Sequence, residues 1–529
     1  IAYYQYDETH VPVVPLTDYN NLHLAPHLTR YPNPGDPNPL VRIGLVEVPA
    51  VLPKTQGAVP PTRWVDLGRD PDVLIVWIQW MSSEALLVHR MPRLQNRVDV
   101  LKVHASTGAN EVLVTQEDRA WVEAWLASFD RDGNYKLALK FVPGSSDFVW
   151  QSEKDGYRHL YLYDSNGKQI RQLTHGEWDV EELVALDGTH RVAFFTAARP
   201  SPLERQIFSV LLDGGGEVMQ VSDGPGTHQP LFAPDAQHFL DTYSSSDHPP
   251  HVRLHRASGR KIADVPNNRG PRVAAQQGDW EFGVFRTSDG VSLNYAMQKP
   301  ANFDPNREYP VLMYTYGGPG FQIVRDEWGI GGGLEPFCKQ KGIISVMVDG
   351  RGSGMRGRDF LKVVYQNLGK WEVNDQIEAA KWLGTQPYVD AHRIGIWGGS
   401  YGGYMACLCL LRGADVFKMA ISMAPVTDWS LYDSVYTERY MRRPKENPQG
   451  YETSSPIREV SKLKGVFLLI HGTADDNVHF QNTVRLAAAL QKSGKQFQTM
   501  FYPGEGHSLF GAGAHLEQLL TQFVTEHLI

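Results

Sequence analysis

Two rhythms divide the chain. From the start to about Arg272, short alternating runs of apolar and polar residues are broken by Asp, Asn, Gly and Pro, the pattern of half-buried strands joined by tight turns. The segments "HLYLYDSNGKQIRQLT", "QIFSVLLDGGGEVMQVS" and "HVRLHRASGRKIADV" share one form: a strand, a polar Gly turn, a strand. They start about 45 residues apart, the spacing of four-stranded propeller blades, and "DVLKVHASTGANEVLV" adds a copy upstream. A generic β-sandwich is the competing reading. After "GDWEFGVFRTSDGVSLNYAMQKP" the runs "YPVLMYTYGG", "GIISVMVDG", "RIGIWGG", "FKMAISMAP", "GVFLLIHG" and "FQTMFYPG" alternate with helical segments, which predicts a doubly wound, mostly parallel sheet. The change falls near residues 273 to 282 and predicts two units, 1–275 and 276–529.

Within the second unit, Gly398-Gly399-Ser400-Tyr401-Gly402 follows a strand run and precedes the helix-compatible "YMACLCLL". A strand-to-helix turn with small neighbours is the setting of a nucleophile elbow, although G-x-S-x-G alone is a weak signal. A serine hydroxyl needs a base and an orienting carboxylate, which this fold supplies in the order Ser, Asp, His. The loop after "VFLLIHG" offers Asp475 and Asp476, and the loop after "FQTMFYPG" offers His507, with His471 and His479 as rival histidines. Physical reasoning on the sequence leaves the two aspartates open. For the oxyanion, the N–H of Tyr401 is one donor, and the loop "YTYGGPGFQ" offers Tyr316 or a Gly N–H as the second. "DGRGSG", Asp349 to Gly354, lacks a Walker lysine and reads as a turn.

Bulk properties narrow the field further. At 529 residues and 42% hydrophobic content, two or more packed domains are expected. A net charge of −8 argues against a nucleic-acid surface. Cys338, Cys407 and Cys409 form no readable disulfide framework, and no H-E-x-x-H or paired C-x-x-C suggests a metal; no cofactor is expected. There is no apolar run long enough to span a bilayer. The opening "IAYYQYDETHVPVVPL" has neither initiator Met nor a signal-type segment, so a fragment is expected.

The segments "DGRGSG", "GGSYGGYM", "APVTDWSLYDSVYTERYM" and "HGTADDNVHFQ", with the propeller phrase "SPLERQIFSV", closely resemble the dipeptidyl peptidase IV subfamily of prolyl oligopeptidase-type serine peptidases. The resemblance implies an α/β hydrolase preceded by an all-β propeller portion that is N-terminally incomplete. It implies an exopeptidase releasing N-terminal X-Pro, or X-Ala, dipeptides through an acyl-enzyme. Ser400 would be the nucleophile, Asp475 the orienting acid, His507 the base, and Tyr316 with the Tyr401 N–H the oxyanion donors. Val426, Trp429, Tyr432, Tyr436 and Val478, with the Tyr401 ring, would accept the proline, and Asn477 would bind the carbonyl before it. A compact apolar ring suits an aromatic box. The resemblance also implies peptide substrates, a homodimer using an arm near residues 5–31, and a periplasmic or secreted location.

Two departures accompany it. Gly399 stands where the subfamily carries Trp, as in the acylaminoacyl-peptidase branch, and the paired-glutamate segment and arginine that hold a substrate's ammonium are not found. An acylaminoacyl or prolyl endopeptidase is therefore the alternative enzyme, and a non-catalytic propeller-hydrolase binding protein the alternative without chemistry.

Overall fold

The structure, a computed structural model, describes residues 1–20, 22–48, 61–123, 125–129, 135–266 and 279–529, with backbone only for 125–129 and 135–137. The change of pattern expected at 275/276 lies outside the described residues.

The first part is built of antiparallel sheets. Four of them have four strands in chain order: Val73–Trp80 to Asn110–Glu117, Leu139–Phe141 to Gln169–Gln172, Val180–Asp187 to Met219–Gln220, and Thr227–Phe232 to Lys261–Val265. The repeated strand-turn-strand phrases are the third and fourth strands of these four sheets. Each turn pairs its strands in antiparallel register, for example Tyr161↔Gln172 and Leu254↔Ala263. Neighbouring sheets share cores: Val149, Leu160 and Leu162 of one pack with Leu183, Phe195 and Phe208 of the next. This is the blade-on-blade packing of a propeller. Ala2–Asp7, Leu40–Leu45 and Arg63–Trp64 form a three-stranded sheet, and Val13–Asp18 pairs with Ala25–Arg30 in a separate hairpin.

The second part is one eight-stranded sheet: β1 (Trp280–Arg286), β2 (Ser292–Gln298), β3 (Tyr309–Tyr314), β4 (Ile344–Asp349), β5 (Val389–Gly399), β6 (Phe417–Met423), β7 (Val466–Gly472) and β8 (Gln498–Tyr502). Their spatial order is β1-β2-β4-β3-β5-β6-β7-β8, with β1 and β2 antiparallel at one edge and the rest parallel. Strand β4 is buried along its whole length, as expected where helices cover both faces. The helices Trp371–Leu383 and Tyr401–Arg412 pack into the core on one face, while Leu520, Phe523 and Val524 of Gly513–Leu528 pack on the other. The loops after β3, β5, β6, β7 and β8 therefore all leave the sheet at its carboxyl edge, where open α/β sheets form their sites.

All three cysteines are buried and unbridged. Among the described residues no helix is long and apolar enough to cross a membrane, and no cluster of metal-ligating side chains is found.

Candidate active site

Ser400 stands at the junction of β5 and the helix Tyr401–Arg412, with φ 59° and ψ −120°. That left-handed backbone is strained for a residue with a Cβ, and it persists because its neighbours fix the turn. The Ser400 N–H donates to the Met423 carbonyl at 2.8 Å. A Cβ on Gly398 or Gly402 would collide with the Thr315 carbonyl oxygen, so both flanking glycines are required by close backbone approach. Gly399 differs: a Cβ there meets the Met423 side chain at 3.5 Å, an ordinary contact. The Tyr401 N–H opens the helix, among the first amides that have no partner within it.

His507 Nδ1 donates to Asp475 Oδ2 at 2.7 Å. This leaves Nε2 as the free, basic nitrogen, and among the described residues it makes no hydrogen bond. The other aspartate, Asp476, is exposed. Asp475 is fully buried and takes four donors. Its Oδ1 accepts the N–H groups of Asn477 at 3.0 Å and Val478 at 2.9 Å, and its Oδ2 accepts from His507 and, at 3.2 Å, from His471 Nε2. Burial alone would push this carboxyl up, but the bonds and charges of the two histidines outweigh it and hold the group down at about 2. His471, a rival base from sequence, is buried beneath the acid. Its Nε2 also bonds the Val478 carbonyl at 2.8 Å, which can only accept, so the proton sits on Nε2 while Nδ1 meets Thr483 Oγ1 at 2.7 Å.

Burial pushes the phenol of Tyr316, after β3, above its ordinary range, and the nearby Ser400 side chain pulls the other way. The Tyr401 hydroxyl donates to the buried Glu372 at 2.8 Å, and burial raises Glu372 to about 7.

An aromatic box lies beside these groups. Trp429 is 5.5 Å from Tyr401 and 6.0 Å from both Tyr432 and Tyr436, and Tyr432 meets Tyr436 edge-on at 5.3 Å, all between ring centroids. Val426 and Val478 are buried in the same cluster. The Tyr432 hydroxyl donates to Asn477 Oδ1 at 2.8 Å, which turns the Asn477 amide NH₂ outward as a donor. Tyr436 belongs to the helix Ser434–Met441, capped by Asp433 through the Tyr436 N–H at 2.8 Å.

Sequence reasoning missed what holds this helix. Arg93 from the blades makes a two-pronged ion pair with the buried Glu438, and Gln95 bridges the Val435 carbonyl and Arg439. The Ser434 N–H donates to the Pro32 carbonyl at 2.9 Å and its hydroxyl bonds Asn38. Tyr31 donates to the Asn477 carbonyl at 2.9 Å and packs on His479 at 4.1 Å between ring centroids. Partners separated by hundreds of residues leave no local pattern; a glutamate in a tyrosine-rich helix was the available hint.

Known proteins bear out the architecture. Residues 334–528 match the prolyl oligopeptidase family, and residues 1–250 match the dipeptidyl peptidase IV N-terminal region. The crystal structure of Porphyromonas gingivalis dipeptidyl peptidase 4 superposes with a TM-score of 0.91 at 35% identity, covering 100% of this chain and 73% of that one. The chain belongs to the dipeptidyl peptidase IV subfamily of the prolyl oligopeptidase family. Its α/β-hydrolase sheet preceded by propeller blades is that subfamily's fold. Among curated members, "Probable dipeptidyl-aminopeptidase B" of Coccidioides posadasii strain C735 is 33% identical over 505 residues, 91% of this chain and 53% of that protein. The protein of the same name from Emericella nidulans is 33% identical over 510 residues, 92% of this chain and 54% of that one. The chain thus spans about half the length of these subfamily relatives.

Proposed function

We propose that this protein is a serine exopeptidase that releases dipeptides from peptide N-termini with proline, or less well alanine, at the second position. Ser400 Oγ attacks the carbonyl after the proline while His507 Nε2 takes its proton. Asp475 holds the imidazole in the tautomer that leaves Nε2 free and stabilises the imidazolium. The Tyr401 N–H and the Tyr316 hydroxyl bind the oxyanion. The amine product leaves with the proton from His507, and water then hydrolyses the acyl-enzyme by the same route. The pyrrolidine fits between Tyr432, Tyr436, Trp429 and the Tyr401 ring, against Val426 and Val478, and the outward amide of Asn477 donates to the preceding carbonyl.

The observation that carries this reading is the 2.7 Å Asp475–His507 pair in a loop set beside an aromatic box and a serine at a strained strand-helix turn. The working division is 1–275 as blades and 276–529 as hydrolase. We include a homodimer, with the hairpin Val13–Asp18/Ala25–Arg30 as its arm; Leu22, Leu24 and Leu28 are exposed on it.

The test compares an unblocked Gly-Pro amide with its N-acylated form. Preference for the free amine is expected, and equal turnover of both would replace this reading with an endo-acting or acylaminoacyl peptidase. Ser400→Ala should abolish both hydrolysis and fluorophosphonate labelling; hydrolysis that survives would remove the nucleophile assignment.

A further inference from the structure

Two sequence phrases remain without a role, "SPLERQ" in the third four-stranded blade and "DGRGSG" after β4, and they meet at one loop. The loop runs from Tyr316 to Val324 and contains Gly317, Gly318, Pro319 and Gly320. Gly317 and Gly320 have φ of 77° and 78°, so this stretch has the backbone freedom that glycine brings and must be fixed from outside. At its start the Thr315 N–H donates to the Trp397 carbonyl at 3.0 Å, and midway the Gly320 N–H donates to the Gly352 carbonyl at 2.8 Å. At its end the Asp349 carboxylate accepts the N–H groups of Ile323 and Val324, each at 3.0 Å.

The remaining anchor comes from the propeller. Arg205 is 1% exposed; its Nε donates to Glu181 at 2.8 Å and its Nη1 to the carbonyls of Pro202 at 3.0 Å and Glu204 at 2.8 Å. Its Nη2 crosses to Gln322 Oε1, and Gln322 Nε2 donates back to the Pro202 carbonyl at 2.8 Å and to the Val324 carbonyl at 3.2 Å. The neighbouring Phe321 ring lies 4.5 Å from the ring of Tyr316. A hydroxyl that must meet a developing charge gains its effect from being held in place beforehand. A planar guanidinium with donors in several fixed directions suits this junction, and a lysine could not reproduce it.

We infer that Arg205 is a positioning residue for Tyr316, acting through Gln322 across the boundary between blade and hydrolase sheet. The inference rests on the proposed role of Tyr316 as oxyanion donor, and a double-mutant cycle separates the two. The readouts are the rate of fluorophosphonate labelling of Ser400 and the kcat and KM for a Gly-Pro amide. Tyr316→Phe should slow labelling about 100-fold, the scale for one oxyanion donor. Gln322→Met should slow it about tenfold with KM within about twofold, and should cost less than about twofold more once Tyr316 is already Phe. Arg205→Met should give a loss of similar size, and Arg205→Met combined with Gln322→Met little more than either alone, because both break one chain of contacts. The same factor for Gln322→Met in both backgrounds, no loss at all, or additive losses from Arg205→Met and Gln322→Met would each overturn the inference. An unchanged rate in Tyr316→Phe alone would bring down the oxyanion assignment first.

Discussion

Ser400, Asp475 and His507 are positioned from within the hydrolase sheet, whereas Tyr436 of the proposed proline pocket rides on a helix gripped by the first part of the chain. On the first side the supports are backbone groups of the same unit: the Met423 carbonyl on the Ser400 amide, the Thr315 carbonyl against Gly398 and Gly402, and the amides of Asn477 and Val478 on Asp475. On the second they are distant side chains, Arg93 on Glu438, Gln95 on Arg439 and Asn38 on Ser434. Chemistry and selectivity should therefore respond to different substitutions.

The largest effect is expected on the sheet side. Asp475→Asn should lower kcat about 10⁴-fold, because an amide NH₂ facing His507 favours the wrong tautomer. Steady-state kinetics with KM nearly unchanged is the check, and a loss confined to KM would blur the contrast. On the helix side, Glu438→Ala leaves the Arg93 guanidinium largely buried without its main partner, which should cost about 3 kcal/mol in a denaturant titration. KM for proline substrates should rise while fluorophosphonate still labels Ser400; lost labelling would mean that the helix also supports the nucleophile.

Titration separates carboxyls of opposite sign. Asp475 is held at about 2, below its unfolded value near 4, so its contribution of about 2 kcal/mol is present above about pH 4 and lost as pH falls towards 2. Glu372, pushed up to about 7 by burial, acts the other way: its contribution is complete below about pH 4 and is lost as pH rises through 7. Glu372→Gln keeps an acceptor for Tyr401 and should flatten the neutral side of a plot of Tm against pH, leaving the acid side in place. Asp349, also raised to about 7 by burial, retains its own share of that neutral slope. The smallest effect is expected at Gly399. Ala there should alter stability by less than about 0.5 kcal/mol and kcat by less than about twofold, while Ala at Gly402 disrupts the turn.

Much of this was legible in the sequence because it is local. Alternation with Gly turns marked the outer strands of each blade, and solid apolar runs marked β3 to β7, since strands covered on both faces need no polar side. Ser400 was visible from strand, turn and helix alone. The choice between Asp475 and Asp476 was not, because adjacent identical side chains differ only in burial: one lies beneath His507 and the other faces solvent. "DGRGSG" was read as a turn and does turn, but Asp349 also holds the loop of Tyr316, and Arg351 is paired with Asp375 and Asp289. These are tertiary functions of a local motif.

The Arg93–Glu438 pair also bears on dissection. Excising the hydrolase sheet as a free-standing piece would strip Glu438 of its cation, Ser434 of Asn38 and the Asn477 carbonyl of Tyr31. The cut would leave a naked carboxylate on the helix that carries Tyr436, so a minimal catalyst built from this chain would have to carry its own countercharge.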